Sequence, residues 1–126
     1  MKRVTGFGGM FIKSKDPKVL FQWYAQHLGI QPEHGNSTSF PWRDATDPEK
    51  TGQTVFALFP EDSQYFNPSK SPFMMNFCVD DLAGLLEALR AEGVQVDPKV
   101  EEHEYGKFAW IMDPEGNRIE LWEPPK

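Results

Sequence analysis

A carboxylate stands in the middle of an apolar run near the C-terminus of the chain. Glu120 lies between Ile119 and Leu121 in the segment RIELWEP, and Trp122 follows. Burying an ionised carboxylate without a partner is expensive, so we expect Glu120 to face a metal, a ligand, a hydrogen-bonded network or solvent. Arg118 precedes it by two residues, which places both side chains on one face of a strand.

The other residues with reactive or metal-binding side chains form no convincing constellation. Cys78 is the single cysteine, which excludes an intrachain disulfide and a cysteine zinc cluster. No histidine accompanies it in a nucleophile motif, and one buried cysteine usually has a packing role. We expect His27 on a helix and His34 in the following turn, where neither points into a site from a strand. His103 lies in the charge run EEHE, which is typical of a solvated surface.

The first half of the chain predicts one helix among short strands. Residues 6–13 form the first expected strand. Asp16 can accept bonds from free backbone amides, Pro17 suits the first helical position, and Gly29 suits the left-handed position that ends a helix. Apolar spacing predicts an inward face of this helix at Leu20, Trp23, Tyr24, His27 and Leu28. Strands are expected near 37–42 and at 53–59, followed by a Pro-, Ser- and Asn-rich connector at 60–72.

The second half repeats that order. Residues 73–79 form a strand, Asp80 or Asp81 begins a helix, and Gly93 ends it. Further strands are expected near 94–101, 107–112 and 118–123.

The two halves share a strand–helix–glycine frame. Asp16 to Gly29 and Asp80 to Gly93 each span thirteen residues, at an offset of about 64. This pattern predicts two βαβββ modules, at about 1–64 and 70–126, within a single domain. We expect an α+β fold in which the modules form a cup-shaped mixed sheet with the helices on its outer face.

Alternation along the strands predicts which side chains line the cup. In the strand 73–79, the bulkier set is expected to pack on the leucine-rich helix, which leaves Met74, Asn76 and Cys78 on the other face. In the last strand Arg118, Glu120 and Trp122 share the cup face. From alternation alone, this face is either a concave aromatic-lined space or open to water.

Bulk composition excludes several classes of function. The chain has 126 residues, 39% of them hydrophobic, with a net charge of −6 and a pI near 5.0. Its few basic residues are scattered, which argues against nucleic acid as a partner. No apolar stretch is long enough for a signal peptide or a membrane span, so we expect a cytoplasmic protein that binds neither nucleic acid nor membrane.

Three segments resemble the vicinal oxygen chelate superfamily, which includes glyoxalase I, extradiol dioxygenases and bleomycin-resistance proteins. DPEGNRIELWEP is similar to its closing motif D-P-[DE]-G-N-x-[IL]-E-L. DPKVLFQWYAQHLGI and VDDLAGLLEALRAEGV resemble its first and second helices. The resemblance implies paired βαβββ modules around a cup-shaped site, often in a homodimer.

The same resemblance implies a divalent metal on four strand positions in the metal-using members. Here those positions fall on Gly9 (or Met10), Ala57, Met74 and Glu120, of which Glu120 alone offers a suitable ligand. We therefore expect no metal site on the usual template and no other cofactor.

Two functions are weighed on this basis. The first is metal-independent binding of a small aromatic or amphipathic molecule in the cup. The expected ligand-binding residues are Trp42, Met74, Asn76, Trp110, Arg118, Glu120 and Trp122, with Phe7, Phe11 and Phe59 as further candidates. The alternative is a glyoxalase-type lyase or isomerase, in which Glu120 acts as a base or belongs to an atypical metal site.

Overall fold

An antiparallel pair of central strands joins the two halves of the chain into one sheet. The computed structural model describes residues 3–126. Its elements in chain order are β1 (Val4–Ser14), α1 (Pro17–Leu28), β2 (Ser37–Arg43), β3 (Thr51–Pro60), β4 (Phe73–Val79), α2 (Leu82–Ala91), β5 (Gln95–His103), β6 (Gly106–Met112) and β7 (Arg118–Glu123). The sheet order is β2-β3-β1-β4-β7-β6-β5, with parallel and antiparallel pairs. The predicted α+β class with a mixed sheet is confirmed.

The predicted internal repeat appears as a common topology. In each half the first strand pairs in parallel with the last, β1 with β3 and β4 with β7, while β1 and β4 pair antiparallel at the centre. The second half has three strands after its helix, as predicted, whereas the described part of the first half has two. Residues 30–36 form only an isolated bridge between His34 and Ser37, because Pro32 and the left-handed Gly35 interrupt extended pairing.

Both helices begin and end at the predicted signals. The Asp16 carboxylate accepts a hydrogen bond from the Val19 amide at 3.2 Å, and Gly29 ends α1 with φ of 69°. Asp81, rather than Asp80, caps α2 by accepting from the Gly84 amide at 3.0 Å. Gly93 follows α2 with φ of 82°.

The predicted inward face of α1 was partly wrong. Trp23 and Leu28 are 51% and 59% exposed, whereas Phe21 is buried and packs against Phe56 of β3, with ring centroids 5.8 Å apart. Apolar side chains occur around most of this helix, so their spacing alone did not define the buried side.

Two apolar clusters lie on opposite faces of the sheet. The outer cluster packs α2 against the sheet through Val79, Leu82, Leu85, Leu86, Ala109 and Leu121. The second cluster occupies the opposite, concave face and comprises Phe11, Ala57, Phe66, Met74 and Trp110. The alternation predicted for the second half is therefore present, with Leu121 on the helix side and Met74 on the concave side. No helix within residues 3–126 is long and apolar enough to cross a membrane.

The connector between β3 and β4 fills part of the concave face. Phe66 is fully buried there, against Phe59 at a centroid distance of 5.2 Å, and the Lys13 ammonium lies 5.2 Å from its ring centroid. Ser69 is buried as well. Residues 61–72, which we call the connector, thus act as a packed part of the domain rather than as a loose linker.

We expect Phe66→Ala to lower the free energy of unfolding by about 3–5 kcal/mol, because it removes a fully buried ring and leaves a cavity. Urea unfolding measures the loss. Phe40→Ala is the matched control, since Phe40 lies on β2 and is 46% exposed. Equal losses for the two variants would contradict the packed role of the connector.

Candidate functional site

A cavity of about 580 Å³ opens on the concave face beside the connector. One wall is aromatic and comes from the second half of the chain: Tyr105, Phe108 and Trp122. The floor contains Phe11, Val55, Asn76 and Glu120, and the rim carries Glu33, His34, Ser37, Thr38, Ser39 and Gln53. We call this space the cup cavity. It is an apolar hollow with a few polar groups, the usual form of a small-molecule site.

Strand pairing positions three neighbours around Glu120. Asn76 of β4 and Trp110 of β6 lie directly opposite Glu120 on the two strands that flank β7. Residues opposite one another in neighbouring strands project to the same face, so both side chains reach the carboxylate. Asn76 Nδ2 donates to Oε1 at 2.6 Å, and Trp110 Nε1 donates to Oε2 at 2.9 Å.

The connector supplies a third donor to the same carboxylate. The Tyr65 hydroxyl donates to Glu120 Oε2. Glu120 is only 1% exposed, so it faces a hydrogen-bonded network rather than open water. Strand alternation alone had left open whether this face is exposed to water. Charge-assisted hydrogen bonds of this kind offset much of the desolvation of a buried carboxylate.

Burial dominates the electrostatics of Glu120. Loss of water raises the pKa of its carboxyl, while the hydrogen bonds from Tyr65, Asn76 and Trp110 and the charge of Arg118 oppose the rise. Burial and the adjacent Glu120 carboxylate also raise the pKa of the Tyr65 phenol. Tyr65 therefore keeps its proton at neutral pH and remains a donor.

Arg118 braces the connector from behind Glu120. Its guanidinium carbon lies 4.8 Å from the Trp110 ring centroid and 5.9 Å from that of Tyr65. Its Nη1 donates to the Tyr65 carbonyl, and Nη2 lies 3.4 Å from Asp97 Oδ2. Arg118 does not line the cup cavity, so its main contacts hold Tyr65 in place.

A glycine in β1 makes room for the Asn76 amide. The pairing of β1 with β4 is irregular between Phe7 and Gly9, and a Cβ added to Gly8 would lie 2.0 Å from Asn76 Oδ1. Asn76 is 2% exposed. Within residues 3–126, its Oδ1 is the one buried side-chain nitrogen or oxygen without a hydrogen-bond partner. Asn76 therefore uses its donor end on Glu120 and keeps an unused acceptor.

The predicted ligand-binding residues occupy three kinds of place. Asn76, Glu120 and Trp122 line the cup cavity. Met74 and Trp110 are buried beneath it in the concave cluster, and Arg118 lies behind it. Trp42 lies apart from it, with its ring over Gly6 and Gly52 and its Nε1 donating to Thr54 Oγ1 at 3.0 Å. Of the further aromatic candidates, Phe11 lines the cavity, Phe59 joins the concave cluster and Phe7 packs on Phe77.

Sequence reasoning did not select four residues that the structure brings to the site. Tyr65 comes from the connector, Glu33 and His34 from the turn after α1, and Tyr105 from the turn before β6. All four lie outside the predicted strands, where alternation assigns no direction. The aromatic pair Tyr65–Phe66 within an otherwise polar connector was the available signal.

His103 packs on an aromatic ring, and Cys78 is buried. The His103 ring stacks on Phe108 with centroids 4.9 Å apart and an interplanar angle of 19°. Burial raises the pKa of the Cys78 thiol to about 11, so the thiol is protonated and a weak nucleophile at neutral pH.

Sequence comparison decides the family. The sequence profile of the glyoxalase-like domain matches residues 9–122. The chain belongs to the glyoxalase-like domain family. A search of curated protein sequences gives no match.

Solved structures agree with this glyoxalase-like fold. A variant of methylmalonyl-CoA epimerase from Streptomyces coelicolor has 17% identity and a TM-score of 0.69, over 98% of this chain and 99% of that one. The epimerase from Mycobacterium tuberculosis has 21% identity and a TM-score of 0.60, over 100% and 92%. A glyoxalase/bleomycin resistance protein/dioxygenase superfamily member from Vibrio splendidus has 13% identity and a TM-score of 0.59, over 90% and 95%. The chain therefore has the vicinal oxygen chelate fold.

The residues of this glyoxalase-like protein do not fit the four-ligand metal site of the superfamily. Gly9, Ala57 and Met74 occupy three of the four positions, and no group of three or more His, Cys, Asp or Glu side chains suited to a metal occurs within residues 3–126. At the fourth position, both Glu120 oxygens already accept hydrogen bonds, from Asn76, Trp110 and Tyr65.

Glu120→Gln tests the buried carboxyl through its pH dependence. The pKa of Glu120 is raised in the folded protein above its ordinary value of 4.5, so the folded state keeps a proton that the unfolded state releases as the pH rises. Ionisation of Glu120 therefore lowers the free energy of unfolding as the pH increases from about 4.5 through the folded pKa.

We expect the wild type to lose stability relative to Glu120→Gln over that rise, because the variant has no carboxyl to ionise. Urea unfolding of both proteins between about pH 4 and 8 gives the difference directly. A difference that is constant or moves the other way would contradict the raised pKa.

Proposed function

We propose that this glyoxalase-like protein binds a small aromatic or amphipathic molecule in the cup cavity without a metal ion. One observation supports this proposal most directly: the cavity lining combines aromatic with polar residues. Tyr105, Phe108 and Trp122 form its aromatic wall, and its floor contains Asn76 and Glu120. Its volume of about 580 Å³ lies in the range of ordinary ligand pockets.

Contacts within the aromatic wall hold the Phe108 and Trp122 rings and the backbone at Tyr105. The Phe108 and Trp122 rings are nearly parallel, at 5°, with centroids 6.0 Å apart. Trp122 Nε1 donates to the Tyr105 carbonyl at 2.8 Å, which ties the turn before β6 to the last strand. A preformed wall supports ligand binding, because fewer side chains must be ordered when the ligand enters.

The occupied state of Glu120 supports a metal-free site. Three donors converge on its two oxygens, and the equivalent strand positions offer Gly9, Ala57 and Met74. Binding would then depend on ring packing and hydrogen bonds rather than on coordination.

Trp122→Ala is expected to weaken binding of a neutral planar probe, naphthylmethanol, about tenfold, through loss of ring contacts and of the bond to Tyr105. Isothermal titration calorimetry measures the affinity independently of tryptophan fluorescence. The matched control is Trp23→Ala, because Trp23 is 51% exposed on α1. Absence of saturable binding, or equal weakening by both variants, would contradict the proposal.

A second candidate is a glyoxalase-type lyase or isomerase with Glu120 as general base. The observation that favours it is a buried carboxyl with a raised pKa on the cavity floor. A general base also needs a free lone pair to accept the substrate proton, whereas both Glu120 oxygens already accept hydrogen bonds.

We expect the protein not to convert a hemithioacetal into product. We also expect one equivalent of nickel, zinc, manganese or iron(II) to leave its melting temperature unchanged. Turnover or a metal-induced shift that Glu120→Gln abolishes would establish the second candidate in place of the first. The thermal shift of Glu87→Gln, an exposed change on α2, is the control for non-specific metal effects.

A further inference from the structure

The charged residues that line the cup cavity are unbalanced in sign. Two carboxylates belong to the lining, Glu33 on the rim and Glu120 on the floor, and the described lining contains no lysine or arginine. His34 is the one lining residue that can become positive. Glu120 is 1% exposed and its two oxygens already accept hydrogen bonds, so the exposed Glu33 is the carboxylate that a ligand meets.

Basic side chains close to the cavity are directed to other partners. Lys13 lies over the Phe66 ring, Lys107 Nζ is 3.7 Å from Glu123, and Arg118 contacts Asp97 and the Tyr65 carbonyl. None of these three lines the cavity. Within the described lining, no lysine or arginine therefore balances the charge of Glu33.

The Glu33 carboxylate keeps one oxygen that can accept a hydrogen bond from a ligand. The buried Oδ1 of Asn76 is not an acceptor of this kind, because it lies against Gly8 of β1, where an added Cβ would be 2.0 Å away. The Glu33 carboxylate accepts from Thr38 Oγ1 at 2.8 Å through one oxygen, Oε1. Unused acceptors in a cavity favour a ligand that donates hydrogen bonds.

The aromatic wall also favours a positively charged ligand. Ring faces of Trp, Tyr and Phe carry negative potential and attract a cation within about 6 Å. Trp122, Phe108 and Tyr105 contribute three aromatic rings to the lining of the cavity.

We propose that the cup cavity selects a planar aromatic cation, with a protonated amine toward Glu33 and its ring on the aromatic wall. This inference rests on the proposed small-molecule binding and specifies its ligand class. An anionic ligand of equal shape meets the Glu33 carboxylate and no lysine or arginine of the described lining, so it binds more weakly.

Three naphthyl probes of matched shape test the selection: naphthylmethylammonium, naphthylmethanol and naphthoate. Calorimetric titration of the whole protein at low salt is expected to give the order cation, neutral, anion, with about a fivefold or larger step between cation and neutral. The preference is expected to shrink in about 1 M NaCl, because exposed charges are screened.

Glu33→Gln removes one charge and keeps an acceptor for Thr38. The ratio of cation to neutral affinity is expected to fall about fivefold in this variant. Glu87→Gln changes an exposed carboxylate on the outer helix by the same chemistry, and we expect it to leave the ratio unchanged.

The outcomes separate this inference from the proposed function. Equal affinity for the three probes, or tightest binding of naphthoate, overturns the charge selection and leaves small-molecule binding standing. A cation preference that Glu87→Gln reduces as much as Glu33→Gln also overturns it, because the effect is then one of overall net charge. No saturable binding of any probe overturns both.

Discussion

Burial of one carboxylate organises the centre of this protein. Glu120 is held by donors from three separate parts of the chain: Asn76 on β4, Trp110 on β6 and Tyr65 in the connector. Each of these donors has to remain in register for the carboxylate to stay buried, since an unpaired ionised group inside a protein is strongly unfavourable. The network therefore couples the pairing of three strands to the position of a segment that belongs to no strand.

Corresponding positions in the two halves of the sheet carry residues of opposite polarity. In the second half, the central pair across the first and last strands is Asn76 with Glu120, an amide beside a carboxylate. In the first half, the comparable pair is Phe11 with Ala57, which is apolar. A fold built from two similar modules thus has one polar and one apolar pair at corresponding positions of its concave face.

Strand chemistry made much of this arrangement predictable from sequence. The DPEGN turn and the alternation around Glu120 placed Met74, Asn76 and Trp122 on the concave side, because side chains on a strand must alternate. Positions outside strands were not accessible in this way. Tyr65 and Phe66 lie in a connector without periodicity, and Glu33 and His34 lie in a turn whose path depends on contacts distant in sequence. Trp42, on a strand near the sheet edge, packs over Gly6 and Gly52, which no local pattern indicates.

The connector links the space on the concave face to the stability of the fold. Its Phe66 and Tyr65 take up space on the concave face that the sheet alone would leave to a ligand. Because Phe66 is fully buried and Tyr65 donates to Glu120, smaller side chains here would remove core packing and part of the Glu120 network. One segment therefore determines both the free space on the concave face and part of the stability of the fold, so a change that enlarges the first lowers the second.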